Sequence, residues 1–520
     1  MTARPDGSDG TGGPRGERSG GNPSMHGHRE SDSPVVPVSP PNKTGKPAAE
    51  AGEERGLPKG NTASKTRPGR SAGPDAPSAL DRVRQVAHKD KEARFTALLH
   101  HVDVDRLRSA YRALNPKAAT GVDGVTWHEY GQDLEDNLQD LHRRVHCGSY
   151  RAKPVRRAYI PKRDGRFRPL SVAALEDKIV QRAVVQVLNS IYEADFVGFS
   201  YGFRPGRKPH DALDALATGI IKKRVNWVLD ADISDYFTSL DQSWLLKFLE
   251  HRIADQRVLR LIQKWLSAGV LEDGSWTTSD QGTPQGASAS PLLANVYLHY
   301  VLDLWADQWR RRDAHGDVVI VRYGDDFVAG FEHRDDAERF WADLRERFAK
   351  FCLELHPEKT RLIEFGRHAA RDRQARGLRR PVTFDFLGFT HCCAKNRKGG
   401  FLLRRTTIKK RMAAKLCEVK TELMRRRHLP IPEQGAWLAS VIRGHTAYYA
   451  VPGNIDAVTA FRTQATRHWF KALRRRSQRH RLNWTRMNRL SVRWLPPARI
   501  QHPWPDARFV AKTQGRSPVH

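Results

Sequence analysis

The chain of 520 residues is long enough for several domains, and its 89 Lys and Arg against 58 Asp and Glu leave a formal net charge of +31. No fold requires such an imbalance, whereas a polyanionic partner explains it through phosphate neutralisation and counterion release. The five cysteines are scattered without C-x-x-C spacing, and no apolar signal core or bilayer-length segment is present, which argues against a zinc ribbon, a disulfide framework and a membrane partner and predicts a cytoplasmic protein.

Residues 1–77 are rich in Gly, Pro, Ser, Lys and Arg and poor in large apolar side chains. Such a segment cannot bury enough surface to offset ordering entropy, and it reads as a disordered basic N-terminal arm. Over 78–149 the pattern turns helical: Phe95, Leu98, Leu99, Val102, Leu107 and Tyr111 recur at helical spacing, and after a loop over 115–124 a second amphipathic helix runs to about His146. This region reads as a helical lead-in.

Tyr150 to Leu170 then read as two short strands joined at Asp164-Gly165, a hairpin that carries Lys162 and Arg168. Arg offers a bidentate fork and Lys a compact point charge, a pairing suited to a triphosphate; a solvated basic edge strand is the alternative. Leu175 to about Ala194 predict a core helix burying Ile179, Val180, Val184, Leu188 and Ile191. In Ser200-Tyr201-Gly202-Phe203-Arg204-Pro205-Gly206-Arg207, aromatic and cationic side chains interleave, so Arg204 and Arg207 are candidate nucleic-acid contacts, with a structural loop as the other reading.

Three carboxylates follow on two strands. In Asn226 to Phe237, alternation puts Asp230 and Asp232 on one face. In Val318 to Phe331, two β-branched and aromatic runs flank Gly324-Asp325, which predicts a hairpin whose turn brings Asp325 and Asp326 side by side. Adjacent like charges resist joint ionisation unless a cation neutralises them, so an isolated Asp-Asp is either a surface turn or a ligand pair for a hard divalent ion. With Asp232 as a third ligand, and the two strands neighbours in one sheet, the set meets the need of a two-metal site holding ions about 3.5–4 Å apart. Between the strands lies Gln281-Gly282-Thr283-Pro284-Gln285-Gly286, whose glycines permit close approach of a backbone or nucleotide, with Ser290 and Pro291 as the N-cap and first position of a helix.

These ordered motifs resemble the reverse transcriptase and maturase proteins of bacterial group II introns. The resemblance runs from about Ala79 onward, carried most specifically by Ile160-Pro161-Lys162, Ser200 to Gly206, Asp232-Ile233, Gly282 to Gly286 with Ser290 to Asn295, Tyr323 to Phe327, Glu358-Lys359-Thr360 and Phe386-Leu387-Gly388-Phe389. It implies an α/β (α+β) right-hand polymerase with fingers and palm over 150–400 and an α-helical thumb or maturase domain over 401–480. A short basic segment over 481–520 would be a candidate DNA-binding remnant.

By the same resemblance, Asp232, Asp325 and Asp326 are the catalytic metal ligands for two Mg²⁺ ions, with Mn²⁺ as a substitute. Lys162 and Arg168 grip the triphosphate, Gln285 and Gly286 line the nucleotide, Lys359 is a candidate general acid, and Phe386, Leu387 and Gly388 hold the primer. Implied partners are an intron RNA, an RNA template with a DNA primer, a DNA target and dNTPs, at the bacterial nucleoid. Gly324 departs from the Ala more often found there, and Gly-Asp-Asp also marks viral RNA polymerases. Those enzymes place an acid where this chain has Phe237, five residues beyond Asp232, so an aromatic ring that crowds a ribose hydroxyl predicts deoxynucleotide selection. Three thumb helices are expected at about 407–427, 433–450 and 454–479, the last ending in Arg474, Arg475 and Arg476 as candidate nucleic-acid contacts. The alternatives are a splicing-only maturase and a related defence or retron-type reverse transcriptase.

Overall fold

The structure, a computed structural model, describes residues 79–161, 167–272, 275–277, 281–284, 286–477 and 481–508. The basic arm expected over 1–77, Lys162 and Gln285 lie outside the described residues, and of Arg168 only the backbone is described.

In chain order the strands are β1 (Val155–Pro161), β2 (Phe167–Val172), β3 (Trp227–Ala231), β4 (Val270–Glu272), β5 (Ser275–Thr277), β6 (Val318–Tyr323), β7 (Asp326–Phe331), β8 (Arg361–Glu364), β9 (Phe384–Phe386), β10 (Phe389–Lys395) and β11 (Phe401–Thr407). They form three sheets, ordered β2-β1-β4-β5, β6-β7-β3-β8 and β11-β10-β9. The hairpin expected from Tyr150 to Leu170 is present as β1 and β2, with Ile160 opposite Arg168.

The central sheet β6-β7-β3-β8 is antiparallel throughout and buried on both faces. Period-two alternation sends Val228, Val319, Val321 and Val328 into one hydrophobic cluster. Leu229, Ala231, Ile320, Phe327, Ala329 and Phe331 enter another. The first face is covered by the helix Pro209–Lys222, where a Cβ on Gly219 would come within 2.6 Å of Val319. The second is covered by Leu175–Asp195, Ser290–Leu298 and Arg334–Lys350.

Ile179, Val180, Val184, Leu188 and Ile191 are all buried as the pattern required, each worth about 1.5–3 kcal/mol relative to exposure. The lead-in is not a separate unit. Its helices Val104–Arg112 and Leu134–His146 bury Leu107, Leu138 and Leu141 in the same cluster as Ile179.

Beyond β11, helices Lys409–Arg425, Ile431–Tyr449 and Ile455–Arg474 share a core of Leu423, Leu438, Ile442, Phe461 and Trp469. This is the α/β fold with a helical C-terminal body that the resemblance implied. The break expected at residue 480 is corrected, because a fourth helix, Trp484–Trp494, joins that core through Met487 and Leu495. Met487, Leu490 and Trp494 form a helical stripe, masked in the sequence by Arg486 before them and Arg489 and Arg493 between them. Trp494 lies so close to the second helix that a Cβ on Gly435 would fall 2.7 Å from its ring. The chain then runs to the end of the second helix and on to the helix Pro209–Lys222: Gln501 and His502 donate backbone N–H to Ala450 O, and Arg508 pairs with buried Asp214.

Candidate active site

Strands β6 and β7 are joined by only two residues, Gly324 and Asp325, with Tyr323 paired to Asp326. Gly324 has φ +69°, the conformation that a tight hairpin demands and a Cβ resists. On the other side of β7, Ala231 of β3 pairs with Phe327, so the next β3 residue, Asp232, falls beside Asp326. Alternation then sets Asp230, Asp232 and Asp326 on the face shared by Val228 and Val328, with Asp325 in the adjoining turn. The neighbouring strands that a third carboxylate required are present.

The acids differ in their surroundings. Asp230 is bonded by Arg361 at 2.8 Å; burial raises its carboxyl above the usual range, and Arg361 works in the opposite direction. The side chain of Asp232 is 26% exposed, and its carboxylate accepts from the Lys359 ammonium. The turn bearing Lys359 is anchored to the same residue, because His356 N donates to Asp232 O at 2.8 Å. Asp325 is half-buried, and its charge adds to the burial that holds the buried Tyr236 phenol well above its ordinary range. Asp326 is exposed.

Behind the turn lies a buried network absent from the sequence-level expectations. Arg322 and Asp303 are both fully buried and joined by two hydrogen bonds of 2.7 and 2.6 Å. Arg322 also donates to Gly324 O, Asn295 Oδ1 and Ser200 Oγ at 2.9, 2.9 and 2.7 Å. One guanidinium thus ties the carboxylate turn to the Ser200 loop and to the helix behind the glycine-rich loop. Asp303 reaches Arg322 from a π-helical turn, His299–Asp303, a local widening that commonly accompanies functional sites. Asn295 donates to Gly202 O at 2.7 Å, and a Cβ on Gly202 would lie 2.1 Å from Gly324 N, so two backbones meet where only glycine fits. A signal was present in the sequence, Arg322 being a charge inside an apolar strand, but nothing local named its partner.

The glycine-rich loop is bonded to the turn after Asp232: Gly282 N donates to Leu240 O and Thr283 N to Phe237 O, at 2.6 and 2.8 Å. Gly286, at φ +110°, packs on β2, where a Cβ would lie 2.8 Å from Ser171 O. Ser290 is not the N-cap expected of it. Its hydroxyl donates to Pro284 O and closes the loop, while Gln181 Oε1 accepts from Ser288 N.

The donor set fits a hard divalent ion: three carboxylates converge at one end of the sheet, and the Lys359 ammonium already sits on Asp232. Among the described residues, the group of three whose ligand atoms all lie within 4.8 Å of one another is His315 with Asp335 and Asp336. That group is structural, since Asp336 accepts from His315 N, Gly316 N and Arg339.

Residues 160–391 match the family described as reverse transcriptase (RNA-dependent DNA polymerase). Over 222 residues, 42% of this chain, it is 33% identical to the group II intron-encoded protein LtrA of Lactococcus lactis subsp. cremoris. The matched span is a reverse transcriptase domain similar to those of group II intron-encoded proteins. The chain is also 36% identical over 239 residues, 40% of its length, to protein YkfC of Escherichia coli (strain K12). A 91-residue stretch, 18% of the chain, is 29% identical to 12% of nuclear intron maturase 1 of Arabidopsis thaliana. The alignments span 62% of YkfC and 37% of LtrA. Reverse transcriptase domains use divalent metal ions and act on RNA and DNA.

Burial corrects several of the expected contacts. Arg204 is 2% exposed and committed to Glu193, Val197 O and Ser200 O, so it braces its loop and offers nothing to a strand. Arg207 donates to Gly198 O from above the Tyr201 ring. Phe386 is buried in the core, leaving Leu387 and Gly388, at φ +45° and +84°, as the turn between β9 and β10, clamped where Tyr448 donates to Leu387 O. Arg476 is engaged with His428 O and Leu429 O, whereas Arg474 and Arg475 remain exposed. Trp469 is core, and Trp484 stacks on Phe470 while staying 47% exposed. No helix among the described residues is long and apolar enough to cross a membrane.

Proposed function

We propose that this chain is an RNA-directed DNA polymerase of a group II intron, extending a DNA primer on an RNA template with dNTPs and binding its intron RNA to assist splicing and retrotransposition. The observation that carries this reading is the register that sets Asp232 beside Asp326 with Asp325 in the adjoining turn. Those three would hold two Mg²⁺ ions, with Mn²⁺ as a substitute. Bound there, the ions would activate the primer hydroxyl and neutralise charge on the leaving pyrophosphate.

The chain's own residues orient and select. Lys162 and Arg168 grip the triphosphate, and Gln285 and Gly286 flank the nucleotide. The backbone of Phe237 is held by Thr283 N, which supports a fixed ring that crowds a 2′-hydroxyl. Lys359, paired with Asp232, would give a proton to the leaving group. Residues 150–400 act as fingers and palm, and the helical body from 401 onward, now including Trp484–Trp494, as the thumb, at a bacterial nucleoid.

Primer extension on an RNA template with Mg²⁺ tests the reading. Asp325→Asn is expected to abolish extension and leave intron RNA binding nearly intact; loss of both would make the carboxylate structural and sink the proposal. Phe237→Ala is expected to gain ribonucleotide incorporation.

A further inference from the structure

On the sheet β2-β1-β4-β5, Trp276 of β5 is 59% exposed, yet it is not loose. Its indole N–H donates to Ala268 O at 3.2 Å. One side of the ring lies over Gly269, at φ +76°, where a Cβ would fall 2.5 Å from Nε1. The fold thus fixes a large aromatic ring on glycine and leaves much of it in solvent, an arrangement that adds little to the core.

The indole borders an open cleft of about 320 Å³ lined also by Arg151, Pro154, Lys264 and Ser267. Lys264 is bonded only to main-chain oxygens, of Gly148 and Tyr150 at 3.0 and 2.7 Å. Burial and then the charges of Arg151 and Arg260 lower its affinity for a proton. Among the described residues no carboxylate pairs with Arg151, Arg260 or Lys264; nearby Glu272 is engaged by Tyr159 and Arg157. Two cations, Arg151 and Lys264, therefore line the cleft beside a fixed aromatic ring, with Arg260 near Lys264 and no carboxylate paired to any of the three among the described residues.

An aromatic protein surface would not need the cations, and a phosphate alone would not need the ring. We propose that this cleft is a binding site for one unpaired nucleotide of an RNA strand, its base stacked on Trp276 and its flanking phosphates held by Arg151, Lys264 and Arg260. Stacking accepts any base, because every base has a π-face, so the site holds a strand without reading it. It uses none of the carboxylate machinery and does not depend on the polymerase reading.

The test uses full-length protein carrying Asp325→Asn, so that failure of polymerisation leaves the result readable. The probe is an unstructured RNA of about 12 nucleotides containing 4-thiouridine, with the same sequence as a duplex for comparison. Crosslinking is expected at the peptide bearing Trp276. Trp276→Ala should weaken single-strand binding roughly 5- to 100-fold and leave duplex binding unchanged, while Trp276→Phe should restore most of it. Arg151→Gln should reduce the salt slope by about one ion. An overhanging template that crosslinks while a free strand does not would assign the site to the template; crosslinking of both would assign it to any unpaired RNA. Equal losses for Ala and Phe, equal losses on duplex, or crosslinks confined elsewhere would overturn the proposal.

Discussion

The central sheet and the sheet that bears Trp276 handle charge in opposite ways. At the end of β3 and β7 three acids gather at the surface, while the cation that organises them, Arg322, is buried behind the turn and matched bond for bond. At the β4–β5 edge two cations, Arg151 and Lys264, line a cleft beside an exposed indole, with Arg260 near Lys264 and no acid paired to any of them among the described residues. In the first region a buried charge holds the geometry of the acidic turn. In the second, geometry is held by glycine and a single hydrogen bond, and the charges themselves are left to meet a ligand.

The largest effect should come from breaking the first arrangement. Arg322→Met strands Asp303 in the core and is expected to cost about 3–5 kcal/mol of stability, read from urea unfolding, with extension lost at temperatures where the variant stays folded. Arg151→Gln, by contrast, should leave stability within about 0.5 kcal/mol, because an exposed cation without a carboxylate partner holds nothing in place. Equal destabilisation by the two would erase the distinction.

A smaller effect should follow Lys359→Arg, which keeps the ion pair with Asp232 but cannot surrender its proton at working pH. Single-turnover extension should slow by roughly 10²-fold with the Mg²⁺ requirement unchanged, as expected for loss of general acid catalysis. Full activity in the Arg variant would reduce Lys359 to a charge partner.

The mildest test concerns the joint between the Pro209–Lys222 helix and the C-terminal body. There His210 stacks on His502 at 4.2 Å, with its Nε2 at Tyr448 O and with Arg405 and Arg508 near. Burial first, then His502, pushes His210 down to about 3, and burial does the same to His445. A folded pKa below the unfolded value of about 6.5 means that the unfolded chain binds more protons between the two. Stability should therefore fall as pH drops from about 6.5 toward 3, and His210→Gln should flatten part of that slope in calorimetric scans. A slope unchanged by the substitution would place the acid sensitivity elsewhere.

Much of the site was legible because hairpin chemistry and alternation are local. Gly-Asp between two β-branched runs states its own turn, and Asp230 and Asp232 state their shared face, before any tertiary contact is known. Helix Leu175–Asp195 was legible for the same reason, as one continuous apolar pattern. Arg204 was misread because composition counts a cation without knowing that Glu193 lies within reach. The Trp484–Trp494 helix was passed over because three arginines interrupt the apolar residues that pack.

The sequence by itself determined the order of the strands' residues, the faces they present and the acidic chemistry of the β6–β7 turn, since these depend on neighbours one to four residues away. Only the tertiary structure decided which arginines are spent and which are left over. Arg322 meets an acid 19 residues away, Arg204 one 11 away and Arg508 one 294 away, whereas Arg151 meets none among the described residues. The free energy of a charge is set by what lies within a few ångströms of it, and that distance is fixed by packing.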